Sequence, residues 1–92
     1  MTIVWSPTAV EDLEHLRATI EQYNPRAAAK VARAILRRVE SLAEFPGMGK
    51  PGRIPHTREL VIPDTPFIVV YTTVEQTVQI VTVLHTARKW PR

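Results

Sequence analysis

The 92-residue chain contains 45% hydrophobic and 23% charged residues and has a net charge of +3 at pH 7, values that exclude wholesale disorder. It has no cysteine, which excludes a disulfide framework, a thiolate metal site and a cysteine nucleophile. No apolar run reaches membrane-spanning length and no signal-peptide pattern opens the chain, so we expect one cytoplasmic domain over residues 1–92, without a membrane partner.

The chain begins with a predicted strand followed by a helix. Thr2–Trp5 is rich in β-branched and aromatic residues, which favour strands. Ser6 can accept a backbone N–H and Pro7 suits the first helical position, so this pair predicts a helix start. The apolar residues that follow recur at steps of three and four and predict one buried stripe: Val10, Leu13, Leu16, Ile20 and Tyr23.

A second helix is predicted directly after the first. Asn24 and Pro25 repeat the start signal and end the first helix, because the residue before proline avoids the helical region. The second apolar stripe comprises Ala28, Val31, Ala32, Ile35, Val39 and Leu42. With almost no linker between them, the two helices should form a hairpin whose apolar faces lie together on a sheet.

The second half of the chain predicts a loop and three strands. Six glycines and prolines break regular structure between Glu44 and Pro55. Strands follow near residues 57–62, 67–74 and 78–85, and tight turns between them predict antiparallel pairing, with the first strand at an edge or beside the last. The predicted fold class is α+β: a two-layer β-α-α-β-β-β arrangement with the helical hairpin packed on a small, mainly antiparallel sheet.

Positive charge is concentrated after residue 24. Residues 1–24 have a net charge of −3 and residues 25–92 a net charge of +6, so the later segments should attract nucleic acid or an acidic protein. A basic stripe on the second helix recurs at steps of four, three and four: Arg26, Lys30, Arg33 and Arg37. It is either an ordinary solvated helix face or a docking surface for an acidic partner segment.

Further basic residues lie at the margins of the predicted sheet. Lys50, Arg53 and Arg58 lie in or beside the glycine- and proline-rich loop, where such backbone and cations together can bind phosphate. Arg58 and Glu59 should point to opposite faces of their strand. One of the two is therefore available for a structural ion pair with a helix residue.

His85 closes the last predicted strand. Strict alternation places it on the same face as Val81 and Val83. It is either an acid or base for RNA phosphodiester chemistry or a hydrogen-bonded residue that fixes the C-terminal tail.

The remaining histidines and the last tryptophan carry weaker signals. His15 and His56 are too scattered for a metal site, and no zinc-ligand spacing exists, so we expect neither a metal nor a cofactor. Trp90 either stacks on a nucleic-acid base or anchors the tail on the core, and the second interpretation is favoured.

Short motifs along the whole chain follow a characteristic order and spacing. They are Trp5-Ser6-Pro7, Asn24-Pro25, Pro46-Gly47-Met48-Gly49, Arg58-Glu59-Leu60, Val69-Val70-Tyr71 and Ile80–His85. In this combination the chain resembles the RelE/ParE superfamily of bacterial toxins from type II toxin–antitoxin modules.

The resemblance implies a small basic toxin of an addiction or plasmid-stabilisation module, which arrests growth until a cognate antitoxin neutralises it. The implied antitoxin-binding residues are those of the basic stripe: Arg26, Lys30, Arg33 and Arg37. Both a homodimer and a toxin–antitoxin hetero-oligomer are compatible with the sequence.

The superfamily divides into two activities. The RelE-like branch cleaves mRNA on the ribosome with arginines and lysines that line the sheet, but the corresponding positions here hold Glu59, Val61 and Ile68. Only Arg88 lies where that branch carries a tail arginine. The ParE-like branch poisons DNA gyrase without performing chemistry, and the loop motif 46–49 and the strand ending 83–85 are more similar to it.

We therefore expect a ParE-like inhibitor of DNA gyrase. Its candidate nucleic-acid or target contacts are Lys50, Arg53, Lys89 and Trp90. The alternative is a RelE-like, ribosome-dependent mRNA endoribonuclease, with candidate catalytic residues Arg53, Arg58, His85 and Arg88. A third interpretation is an inactive toxin that persists as an antitoxin-binding module.

Overall fold

The computed structural model describes residues 1–91. Its elements in chain order are β1 (Thr2–Trp5), α1 (Pro7–Glu21), α2 (Pro25–Glu40), a short 3₁₀ turn (Ser41–Ala43), β2 (Lys50–Pro51), β3 (Arg58–Val61), β4 (Phe67–Val74) and β5 (Thr77–His85). Every predicted helix and strand is present, and β2 is an addition within the predicted loop. The β-α-α-β-β-β order is confirmed.

Both helices begin where the sequence predicts. The side-chain oxygen of Ser6 accepts the backbone N–H of Ala9, and that of Asn24 accepts the N–H of Ala27. Each cap satisfies a donor that the first helical turn leaves free. The assignment of Tyr23 and Val10 to the buried stripe was wrong: α1 ends at Glu21 and leaves Tyr23 84% exposed in the connection, and Val10 is 40% exposed.

The five strands form one sheet in the order β1-β5-β4-β3-β2. β1 pairs in parallel with β5, and every other pair is antiparallel. The first strand therefore lies both at an edge and beside the last strand. β2 forms the other edge through Lys50 opposite Glu59 and Pro51 opposite Arg58; proline is tolerated there because an edge strand does not need all its N–H donors.

The helical hairpin covers one face of the sheet, and the core lies between the two layers. Its buried residues from the helices and the 3₁₀ turn are Ala9, Ile35, Val39 and Leu42. Their buried partners on the sheet are Leu60, Ile62, Val69, Tyr71, Val78, Ile80 and Val83. No helix among residues 1–91 is long and apolar enough to cross a membrane.

A β-bulge interrupts the pairing of β4 with β5. Val70 lies opposite Thr82 and Tyr71 opposite Ile80, which leaves Val81 without a partner on β4. An extra residue shifts the alternation of all later side chains. Val81 consequently packs on the face away from the helices, whereas Val83 joins the helix-side core. The prediction that Val81 shares a face with Val83 was wrong for this reason.

Helix α1 also protects the part of β5 that extends beyond β1. The β1–β5 pairing ends at Trp5 opposite Ile80. Past this point, the hydroxyl of Ser6 donates to the carbonyl oxygen of Val81 at 2.8 Å, and the Asp12 carboxylate accepts the backbone N–H of Val83 at 3.1 Å. These side chains take the place of a neighbouring strand on an otherwise unpaired edge.

Candidate functional site

The face of the sheet that points away from the helices, here called the open face, is largely apolar. Ile68, Val70 and Leu84 form a buried cluster on it, and Val81 and Trp90 pack against that cluster. Trp90 therefore anchors the C-terminal tail on the sheet, as the favoured sequence interpretation predicted. The role of Trp90 as a target contact stays a prediction.

Glu59 and Arg53 form a partly buried ion pair. The Glu59 side chain is 3% exposed and accepts the backbone N–H of Arg53 at 2.9 Å. The Nε of Arg53 lies 3.3 Å from the same carboxylate oxygen. A buried carboxylate is costly unless it is paired and hydrogen-bonded, and Arg53 supplies both interactions.

Arg58 and Tyr71 clamp the glycine- and proline-rich loop of residues 44–55 onto the sheet. The Tyr71 hydroxyl donates to the carbonyl oxygen of Pro46 at 2.7 Å and accepts the N–H of Gly49 at 2.9 Å. Arg58 Nη1 donates to the carbonyl oxygen of Gly49 at 2.7 Å. Since Leu60 belongs to the helix-side core, strand alternation puts Arg58 on that side and Glu59 on the open face. Neither residue pairs with a helix side chain.

His85 lies in a groove between α1 and the ends of β4 and β5. Its ring contacts Phe67 edge to face, with centroids 5.7 Å apart, and its Nδ1 accepts the backbone N–H of Ala87 at 3.0 Å. This hydrogen bond orders the start of the tail. The groove is lined by residues that include Glu11, Glu14, His15, Leu16, Ile20, Phe67, Val83, His85 and Arg88.

The structure does not bring the four ribonuclease candidates together. His85 and Arg88 line the same groove. Arg58 is on β3 opposite Tyr71, whereas His85 is opposite Phe67, four residues away along β4. At about 3.3 Å per residue, this offset is about 13 Å along the strand.

The basic stripe of α2 is exposed along its whole length. All four of its residues are solvent-exposed: Arg26, Lys30, Arg33 and Arg37. The ion pairs of residues 1–91 lie elsewhere, at Arg17 with Glu21 and at Arg53 with Glu59. Thus, within the described part of the chain, no carboxylate neutralises this face.

The other two candidate contacts lie apart from each other. Lys50 is exposed on the edge strand β2, and Lys89 is exposed in the tail that follows β5. The sheet order separates β2 from β5 by two strands. The sheet order therefore places Lys50 and Lys89 on different parts of the surface.

Comparison with known proteins decides the family. Residues 3–90 match the family model described as the ParE toxin of the type II toxin–antitoxin system parDE. The chain belongs to this ParE toxin family. It is a type II toxin, and its resemblance to the RelE/ParE superfamily is confirmed.

Relatives of this ParE-family toxin match it over nearly the whole length. The protein Y4kP of Sinorhizobium fredii is 43% identical over 90 residues, which covers 98% of this chain and 93% of the relative. Toxin RelE2 of Caulobacter vibrioides is 33% identical over 86 residues, which covers 94% of this chain and 96% of the relative. The family model is named after the ParE toxin and the Caulobacter relative after RelE, so the activity has to be argued from the side chains.

Solved structures match the fold of this ParE-family toxin. A chain of the chromosomal ParDE system from P. aeruginosa superimposes with a TM-score of 0.84 at 24% identity, covering 92% of this chain and 95% of that one. A chain of the RelBE2 toxin–antitoxin complex from Mycobacterium tuberculosis gives a TM-score of 0.59 at 24% identity, with coverages of 95% and 92%. Both structures come from toxin–antitoxin systems, and at this identity they show that the fold is shared.

Sequence reasoning missed two residues that organise the ParE-family site. Asp12 on α1 holds β5 by accepting the hydroxyl of Thr82 and the backbone N–H of Val83. Tyr71, read only as part of an apolar strand, holds the 44–55 loop through its hydroxyl. The one usable signal was the presence of a polar group in an otherwise apolar strand, because a buried tyrosine hydroxyl requires a hydrogen-bond partner.

Proposed function

We propose that this ParE-family toxin arrests growth by binding and poisoning DNA gyrase in the cytoplasm, and that it performs no chemistry of its own. The observation that carries this proposal is the nature of the open face. The positions at which the RelE-like branch has cations lie there, and in this chain they hold an acidic residue and two apolar residues: Glu59, Val61 and Ile68.

The open face lacks the electrostatics of a phosphodiester-cleaving site. Such a site needs preorganised positive charge where negative charge develops in the transition state. Ile68 is only 3% exposed and belongs to the cluster against which Trp90 packs, and Glu59 contributes a negative charge. Arg53, a cation beside Glu59, is already paired with its carboxylate.

The ribonuclease alternative predicts that His85 and Arg88 are catalytic. We instead expect His85→Ala and Arg88→Ala to arrest growth as strongly as the wild type and to induce the DNA-damage response, because neither residue acts on a phosphate. The measurement is growth and a damage-responsive reporter after induction, with soluble toxin quantified for each variant. Loss of arrest in both soluble variants, together with cleaved mRNA in the wild type, would contradict the proposal.

We propose that the basic stripe of α2 is where the antitoxin binds, in a toxin–antitoxin hetero-oligomer. Four exposed cations without carboxylate partners within residues 1–91 form a surface that an acidic segment complements. Because the cations follow one face of a helix, the complementary partner presents its carboxylates in a row of similar length.

Charge reversal tests this antitoxin surface. The double variant Arg33→Glu, Arg37→Glu should bind the cognate antitoxin about 100-fold more weakly, since like charges would then face each other across the interface. The matched control is Arg88→Glu, Lys89→Glu, which makes the same change in net charge on the tail. Calorimetry with purified antitoxin checks the result, and equal losses in both variants would show that only net charge matters.

A further inference from the structure

A second, polar pocket lies toward the other end of β4 from the His85 groove. Beyond Arg58, β4 continues as Thr72–Val74 with no neighbour on β3, and the turn before β3 folds over this end. The hydroxyl of Thr72 holds that turn by donating to the carbonyl oxygen of His56 at 2.7 Å. The resulting pocket has a volume of about 180 Å³ and is lined by Pro51, His56, Thr57, Arg58, Tyr71, Thr72 and Thr73.

Arg58 brings an uncompensated charge into this pocket. Its side chain is half-buried, and its one hydrogen bond within residues 1–91 goes to the neutral carbonyl of Gly49. No ion pair involves it among these residues: the carboxylate next in sequence, Glu59, is on the opposite face of β3 and pairs with Arg53. A guanidinium has five N–H donors, so most of its hydrogen-bonding capacity is unused by this part of the chain. A partly desolvated cation of this kind favours an anion.

The surroundings of Arg58 reinforce this preference. Residues 50–58 contain three cations and no carboxylate. His56 has a φ of 69°, a conformation that a residue with a Cβ rarely adopts, and the Thr72 hydrogen bond fixes it. The hydroxyl protons of Thr57 and Thr72 are bonded to carbonyl oxygens, so the donors left to meet a ligand are Arg58, His56 and Thr73.

We propose that this pocket binds a phosphate-type oxyanion, with Arg58 as its principal ligand and His56 and Thr73 as further donors. The bound oxyanion is either a free phosphate or the phosphodiester of a nucleic acid, since both present anionic phosphate oxygens that accept hydrogen bonds. The site lies at the β3–β4 end of the sheet, and the inference does not rest on gyrase being the target.

The test is an NMR titration of the ¹⁵N-labelled full chain with inorganic phosphate at constant ionic strength. We expect saturable shifts of the backbone amides of Thr57, Arg58 and Thr73. Thr73→Val removes one charge-assisted hydrogen bond without touching the loop clamp, so it should weaken phosphate binding about tenfold. Arg58→Gln should abolish binding, with a dispersed spectrum as proof that the variant is folded.

The matched control is Arg17→Gln, which removes an exposed cation on α1 that does not line the pocket and should leave phosphate binding unchanged. A parallel titration with a short DNA oligonucleotide distinguishes the two sources: tighter binding than inorganic phosphate at the same amides identifies a phosphodiester. The proposal is overturned by shifts that never saturate, or by an equal loss of binding in Arg17→Gln and Thr73→Val. Because no gyrase is present, the result is independent of the proposed function.

Discussion

Replacing Gly49 with alanine is expected to destabilise the toxin by about 2 kcal/mol, which for a domain of this size lowers Tm by about 10 °C. A Cβ at this position would lie 2.8 Å from both Cε1 and the hydroxyl oxygen of Tyr71, and 3.0 Å from the carbonyl oxygen of Glu59. Tyr71 cannot move away cheaply, because it is fully buried and its hydroxyl is bonded to Pro46 and Gly49.

Gly47→Ala is the matched control for this experiment. It lies in the same loop, its added Cβ would meet no atom within 4 Å, and its φ is not positive. A Gly→Ala change that fits the backbone is neutral or slightly stabilising. Thermal unfolding of both variants therefore separates a steric requirement from a general effect of glycine loss. Equal Tm values for Gly49→Ala and wild type would refute the description of the loop clamp.

Asp12→Ala is expected to lower the free energy of unfolding by about 3 kcal/mol. The carboxylate accepts both the hydroxyl of Thr82, which is 3% exposed, and the N–H of Val83. Removing it leaves two donors without this partner at a strand edge that α1 covers, and hydrogen bonds to a charged acceptor are among the stronger ones.

The control for Asp12 is Glu11→Ala, the neighbouring acid on the same helix, which is exposed. It should change stability by no more than about 0.5 kcal/mol. Urea unfolding at neutral pH measures both values. If the two variants lost the same amount of stability, the strand-edge contact of Asp12 would carry no energy of its own.

These contacts show which parts of the fold were predictable. The two helices were predicted well because Ser6 with Pro7 and Asn24 with Pro25 are local signals, and the antiparallel strands were predicted because short turns separate them. The contact of Asp12 with Val83 joins residues 71 positions apart, and no local pattern reports such a pairing.

Two further features escaped prediction for different physical reasons. The bulge at Val81 lies in a run of strand-favouring residues without the glycine or proline that often marks such a site. Strand β2 is only Lys50 and Pro51, and its pairing depends on the clamp between Gly49 and Tyr71 rather than on strand propensity. The absence of nuclease-type cations at three positions of the open face could be predicted, because the sequence itself has Glu59, Val61 and Ile68 there.

The candidate site likewise has features that the sequence predicts and features that it does not. The exposure of the basic stripe followed from helical periodicity, and Trp90 packs on the sheet as its apolar surface favours. The separation of Arg58 from His85 could not be predicted, because it depends on the pairing with β4. Arg58 lies opposite Tyr71, and His85 lies opposite Phe67. Only the register of the sheet supplies that information.

The central claim is that this ParE-family toxin poisons gyrase and does not cut RNA. It is tested most directly by adding one preparation of the purified toxin to two reactions: gyrase with supercoiled plasmid, and a defined translation reaction in which mRNA 5′ ends are mapped. We predict linear DNA trapped by gyrase and intact mRNA. Discrete, codon-spaced mRNA cuts with normal gyrase activity would contradict the account and make His85 and Arg88 the residues to examine as catalysts.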